Sequence, residues 1–271
     1  MSAVLNNEQV QNWINSLPLK VLESGYAQLG REWQRSGVCS PFSRIYYIHR
    51  GAGYARHGKE ETFLRQGHMY LIPIGLHFDY GCEAGIDQLY FHVNITWPNG
   101  YDLFSRCCRV YELPIDPQEI SRLVGLYSSE NMGDALAMAS CLYRDLVKFI
   151  AKANMEEKPA FAYSEMMQTL LPLIQRHLSA KLTIRQLANE MTYSLSTLTK
   201  RFRAEMEMPL GRYIDNMVFQ KAQQLLLFTD LSVVQIAEQL QFCDQAYFSR
   251  YFKLHQHETP SQYRRRLKAA I

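Results

Sequence analysis

Among the six cysteines of this 271-residue chain there is no CxxC pair and no evenly spaced set. That absence excludes a disulfide framework and leaves Cys39, Cys82, Cys107, Cys108, Cys141 and Cys243 as reduced thiols. Long hydrophobic runs are missing too, because charges interrupt every candidate before the ~18 residues that a membrane helix needs. The first twenty residues lack the basic start and apolar stretch of a leader. Nor is there a strong charge of one sign, the formal total being only +3. From these absences we expect a soluble cytoplasmic protein with no membrane contact, long enough for roughly two domains with cores of their own.

The small total conceals an asymmetry. From Glu165 to Ile271 there are 14 Lys and Arg against 9 Asp and Glu, a net of +5, while the remainder nets −2. A basic half beside a slightly acidic one predicts that the C-terminal part meets a polyanion. The texture divides at a similar place. Seven of the 14 glycines lie between Gly51 and Gly85, among aromatic and β-branched runs such as RIYYIHRG and GHMYLIPIG, which read as short strands with tight turns. The three tryptophans, Trp13, Trp33 and Trp97, fall in this half. From Pro117 the spacing becomes helical, and a helix from about Asp134 to Lys152 carries an apolar stripe of Leu136, Ala139, Leu142, Leu146, Phe149 and Ile150. Segment 151–164 mixes charge with proline and reads as a hinge.

Beyond the hinge the chain repeats itself. LTIRQLANEMTYSLSTLTKRF, 182–202, returns at 231–252 as LSVVQIAEQLQFCDQAYFSRYF. In the first copy Ile184, Leu187, Ala188 and Met191 share one helical face behind Thr183 as N-cap, and a second helix from Ser194 continues it with Leu198 and Phe202. The second copy keeps the cap, Ser232, and the buried letters Val233, Ile236, Ala237, Leu240, Phe248 and Phe252. The turns are too short for anything but a steep crossing, which is helix-turn-helix grammar. Only the outward letters differ, and GRYIDNMVFQKAQQLLLF reads as one long helix between the copies. Two such units on a rigid spacer would offer recognition helices ~34 Å apart, one turn of B-DNA, to successive major grooves.

LTIRQLA, the helix centred on KAQQLL, SVVQIAEQLQF, DQAYFSRYFK and TPSQYRR together resemble the DNA-binding domain of the AraC/XylS family of bacterial transcription regulators. Glu207, His257 and Gln241 depart from it, standing where that family usually has a glycine and where φ > 0 is favoured. Helix geometry and the resemblance nominate Ser196, Thr199, Lys200 and Arg203 in the first recognition helix, and Gln245, Ala246, Ser249 and Arg250 in the second, as facing bases. Lys200 and Arg250 occupy equivalent positions, from which each reaches guanine O6 and N7, and Gln245 suits adenine. Arg264, Arg265 and Arg266 are expected to touch phosphate or simply to face solvent.

In the first half Gly67, Pro73 and Gly75 follow the G-x5-P-x-G pattern of the second motif of cupin barrels, with His77 just after and a hairpin at RHGKEE just before. The resemblance to sensing members of the same family implies such a barrel. Metal-binding cupins share an HxH motif, and here His49, His57, His68, His77 and His92 are scattered without one. We therefore expect no metal, no cofactor and no enzyme, and instead an organic-ligand pocket. Alternation places Tyr46, Ile48 and Arg50 on one face. By resemblance to the sugar-responsive member of the family, Arg50 and Tyr80 are effector contacts, and Trp33, His77 and His92 join Tyr46 as further candidates for the lining. Adjacent Cys107 and Cys108 raise a redox sensor as a minor alternative.

The expected architecture is therefore α+β: a cupin-like effector domain over 1–115, a helical dimerisation and linker segment over 116–164, and an all-α domain with two helix-turn-helix units over 165–271. The expected function is a ligand-responsive transcription regulator. The resemblance implies double-stranded DNA, a small effector with carbohydrates among the candidates, a second copy of the chain and RNA polymerase as partners. Two alternatives stay open: a barrel serving only dimerisation or protein contact, and a cupin enzyme fused to a DNA-binding module.

Overall fold

The structure, a computed structural model, describes residues 18–96, 102–155 and 164–268, with the side chain of Lys268 excepted. Trp13, Trp97 and residues 156–163 of the expected hinge lie outside the described residues. The described residues fall into two compact units, one up to 155 and one from 164.

The first unit holds eight strands: β1 (Leu19–Leu29), β2 (Gln34–Cys39), β3 (Ser43–His57), β4 (Glu60–Arg65), β5 (His68–Ile72), β6 (His77–Gly81), β7 (Ile86–Ile95) and β8 (Tyr111–Pro114). They form one antiparallel sheet in the order β1-β7-β3-β5-β8, with β2, β6 and β4 attached through β3. Strand β3 spans 15 residues and changes neighbours along its length. Ser43–Gly51 pairs with β7 and Arg44–Tyr47 with β5, whereas Ala52–His57 pairs with β4 and Tyr54–Arg56 with β6. The change occurs at Gly51, whose φ is +74° and whose missing Cβ would collide with the carbonyl oxygen of Gly85. Glycine is required there on both counts. Rings from β6 meet side chains from the first half of β3, so the sheet curls over on itself into the expected barrel. Gly67 and Gly75 of the cupin-like pattern both take positive φ, as their turn positions demand.

Two helices follow, α1 (Pro117–Tyr127) and α2 (Met132–Lys152). Both pack on the outer face of the β7-β3-β5 sheet, where Ile45, Tyr47, Met69, Leu71, Leu89, Phe91 and Val93 share one core with Ile120, Leu123, Leu142, Leu146 and Phe149. The helices set apart by the sequence reading as a separate segment thus share a core with the barrel. Tyr47 fastens the join by donating to the fully buried Asp145 at 3.0 Å, and Arg144 and Lys148 neutralise that carboxylate. The apolar stripe of α2 splits in two. Met138, Cys141, Leu142, Leu146 and Phe149 are buried, while Met132, Leu136 and Val147 stay 75%, 66% and 63% exposed.

The second unit is all helical: α3 (Glu165–His177), α4 (Ile184–Glu190), α5 (Leu195–Met206), α6 (Leu210–Phe228), α7 (Val233–Gln239), α8 (Gln245–Gln256) and α9 (Pro260–Lys268). Helices α4 and α7 each open with a reciprocal capping box, Thr183 with Gln186 and Ser232 with Gln235. Ser194 and Asp244 cap the recognition helices α5 and α8. Thr192 and Gln241 occupy the left-handed region in the two turns, and Glu207 and His257 do so at the ends of α5 and α8. The backbone therefore repeats as closely as the sequence does. The two copies are also tied together, the N–H of Ala180 donating to the carbonyl of Leu240 at 2.8 Å.

Candidate functional site

Inside the barrel, alternation along β3 turns Arg44, Tyr46 and Ile48 away from the helices. Their cross-strand partners on β7 are His92, Tyr90 and Gln88, so one inner face presents a row of polar and aromatic side chains. Tyr80 and Phe78 come from β6 and Trp33 from the turn before β2, with the rings of Trp33 and Tyr80 centred 4.7 Å apart and those of Trp33 and Tyr46 6.3 Å apart. Tyr46, Tyr80 and His92 are buried and Trp33 half-buried. The structure thus brings together four of the six residues nominated for the effector.

The other two lie elsewhere. Arg50 is exposed, because a register shift between Ile48 and Arg50 breaks the alternation that would have carried it inward. It sits opposite Asp87 at the rim. His77 is exposed as well, and its carbonyl oxygen lies 2.6 Å from His57 Nδ1. The inner guanidinium belongs to Arg44, which the sequence reading missed. Arg44 is 3% exposed; its Nε and Nη2 donate to Ser40 Oγ at 3.3 and 3.0 Å, and its Nη1 donates to the Tyr46 hydroxyl at 3.0 Å. The rings of Phe42, Phe78 and Tyr80 surround it at 5.2–6.0 Å. Parity was the available signal, since Arg44 is two residues from Tyr46 on the same face.

Burial governs the electrostatics of this face. It pushes the Tyr80 and Tyr90 hydroxyls up to about 12. His92 is pushed down to about 4, first by desolvation and then by the Arg44 charge, with Glu23 opposing. The imidazole is therefore neutral near pH 7, with its proton on Nδ1, which lies 2.9 Å from the carboxylate of Glu23.

In the second unit, α5 and α8 turn Leu198, Phe202, Phe248 and Phe252 inward, each fully buried. Outward they present Ser196, Lys200 and Arg203, and Gln245, Ala246 and Arg250, all exposed. Thr199 and Ser249 are half-buried, and the Thr199 hydroxyl donates back to the carbonyl of Leu195 at 2.8 Å. Exposed neighbours that the sequence reading passed over are Arg201, Tyr247, Lys253 and Leu254. The terminal arginines need a correction. Arg264 is half-buried, and its Nε and Nη2 donate to the carbonyls of Leu226 and Leu231 at 2.8 and 2.6 Å, stapling α9 to the end of α6. Arg266 pairs with Glu258, and Arg265 is exposed.

Residues 187–266 match a family model described as a helix-turn-helix domain. Regulatory protein SoxS of Salmonella typhimurium is 33% identical over 106 residues, which are 39% of this chain and 99% of that protein. The HTH-type transcriptional activator RhaS of Citrobacter koseri is 28% identical over 141 residues, about half the length of each chain at 50%. The Msm operon regulatory protein of Streptococcus mutans is 21% identical over 266 residues, spanning 94% of this chain and 95% of that one. Among the described residues no helix is long and apolar enough to cross a membrane. A doubled helix-turn-helix with matched caps, and near-complete coverage of a relative built from that region alone, lead to one conclusion: the chain belongs to the AraC/XylS family of DNA-binding transcription regulators.

Proposed function

We propose that this regulator is ligand-responsive: a small organic molecule enters the barrel and shifts how two copies of the DNA-binding unit engage an operator. The observation that carries this reading is the inner face of β3 and β7. Cupped sheets fill their interiors with aliphatic side chains when they serve only as scaffold. Here Arg44, Tyr46, Gln88 and His92 are buried in that position, at a desolvation cost that a purely structural barrel has no need to meet. Binding then acts by population shift, the effector contributing its differential affinity for the two arrangements.

On DNA, Lys200 and Arg250 are the proposed guanine readers, Gln245 an adenine reader, and Ser196, Thr199, Arg203, Ala246 and Ser249 the flanking contacts in two successive major grooves. The exposed stripe of Met132, Leu136 and Val147 on α2 supports pairing with a second copy, since these apolar groups lie on one helical face and are 75%, 66% and 63% exposed. RNA polymerase is the further partner implied.

The test uses the full chain. Operator binding is followed by fluorescence anisotropy at several salt concentrations, with and without sugars and other metabolites, and thermal midpoints are recorded in parallel. Binding should weaken steeply with salt, and an effector should move both the midpoint and the operator affinity. A folded protein whose DNA binding ignores salt, or whose operator affinity no small molecule alters, would sink the reading.

A further inference from the structure

Arg44 carries a charge that no described carboxylate balances by an ion pair. Among the described residues no carboxylate lies within ion-pair distance of it, although it is 3% exposed. Two buried or half-buried acids of the same unit, Glu23 and Asp102, are otherwise engaged. Glu23 is taken by His92 Nδ1 at 2.9 Å and by the Tyr90 hydroxyl at 3.3 Å, and Asp102 accepts from Asn94 Nδ2 and from the N–H groups of Ile95 and Phe104. A guanidinium has five N–H donors, and the contacts to Ser40 and Tyr46 use one on each nitrogen. One donor therefore remains on each Nη atom, and a guanidinium with a donor left on both can serve a carboxylate through two hydrogen bonds. A second observation lies on the same inner face. The Gln88 side chain, 3% exposed, has its Oε1 buried without a hydrogen-bond partner. Gln88 pairs with Ile48, four residues along β3 from Arg44, or about 13 Å at the rise of a strand. The rings of Trp33, Tyr46 and Tyr80 gather on this face beside Arg44.

We infer that the effector is a small organic carboxylate, its carboxylate held by the Arg44 fork, its apolar or aromatic body against Trp33, Tyr46 and Tyr80, and a donor at its far end meeting Gln88. This rests on the reading of the barrel as an effector site and names its chemistry, which differs from that of a neutral sugar. A planar two-oxygen group suits two coplanar donors among aromatic walls, whereas a tetrahedral phosphate needs more donors than the face supplies.

The experiment measures thermal midpoints and calorimetric affinity of the full chain with matched probes at about 10 mM, a concentration at which even weak binders shift the midpoint by mass action. The probes are butyrate, octanoate, phenylacetate and 4-hydroxyphenylacetate, each beside its primary amide, together with arabinose, galactose and inorganic phosphate. Carboxylates should stabilise the protein and their amides should not, with 4-hydroxyphenylacetate above phenylacetate. Arg44→Gln should abolish the response. Arg44→Lys, which keeps the charge and loses the fork, should weaken it by roughly tenfold or more, and this variant decides the matter if Arg44→Gln does not fold. Gln88→Leu should erase the advantage of the hydroxylated acid alone. Binding of an amide or a sugar that survives Arg44→Gln would overturn the carboxylate assignment and leave the sensor reading standing. No shift with any carboxylate overturns the assignment too, and the sensor reading then rests on the neutral probes and on operator affinity.

Discussion

The two helix-turn-helix units share their pattern of buried positions and differ in what holds their outward helices. Around α8 the rings of Phe219, Phe242, Phe248, Phe252 and Tyr263 pack at centroid distances of 5.0–6.0 Å. Tyr251 donates to the Asp215 carbonyl at 3.0 Å and His255 lies 3.2 Å from the Asp215 carboxylate, so α8 is bound to the long helix α6. At the equivalent places α5 has Leu198 for Phe248, Arg201 for Tyr251 and Glu205 for His255. Its Phe202 meets Tyr213, while Glu205 accepts from the N–H and hydroxyl of Ser164, the first residue described after 156–163. Three exchanges of aromatic for aliphatic or charged side chains therefore make one copy a rigid anchor and tie the other to the point where the chain enters the unit. Sequence repetition fixes the shape of such a unit, and the flanking letters decide its attachments.

Breaking the aromatic anchor should have the largest effect. Phe252→Ala removes a fully buried ring that touches three others, and should cost about 3–5 kcal/mol, with Phe202→Ala nearer the lower end of that range. Urea denaturation of a fragment from residue 164 measures both, a fragment justified by the relative that is matched over 99% of its length by this region. Equal losses would mean that the ring cluster adds nothing to the second copy. Next comes Arg264→Ala, which strands the carbonyls of Leu226 and Leu231 and should lose about 1.5–3 kcal/mol of stability with the salt slope of DNA binding unchanged. A slope lower by about one unit would return Arg264 to the phosphates. On DNA, Arg250→Ala should relax preference at one base by about 1–3 kcal/mol, and Lys200→Ala by less, because an ammonium lacks the bidentate fork. Titrations against single-base operator variants separate the two, and a uniform loss in both would remove α8 from base reading. Smallest is the relief of left-handed backbone: Glu207→Gly and His257→Gly should each stabilise their unit by about 0.5–1 kcal/mol, visible as higher urea midpoints.

Most of the second unit could be read before any coordinates, because its determinants are local. A capping box lies within four residues, the buried letters recur within one helical turn, and the positions suited to glycine proved left-handed even where Glu207, Gln241 and His257 occupy them. The first unit was legible as far as parity holds. Tyr46, Tyr80 and His92 lie inside the sheet's curl, but counting by twos fails past the irregularity at Ile48–Arg50, which leaves Arg50 exposed at the rim. Arg44 was overlooked because a cation in an apolar run reads as surface, although its parity with Tyr46 places it on the inner face, where the rings of Phe42 and Phe78 meet it. Arg264 escaped for a related reason: the carbonyls it satisfies are 38 and 33 residues away in sequence. The stripe on α2 was visible as apolar, yet which part turns inward depends on where the sheet lies.

Strand β3 has a consequence for signalling that follows from its parity alone. Tyr46 faces Arg44 on the inner side of the sheet and Tyr47 faces the other way, onto Asp145 of α2. Adjacent residues of one strand thus serve as the inner and outer surfaces of a single partition. A ligand that tugged on Tyr46 would move the shared backbone, and Tyr47 with it, against a carboxylate that sits less than one helical turn from the exposed Val147. On the proposed function, occupancy inside the barrel would reach the exposed flank of α2 through this one strand, without any loop opening or closing.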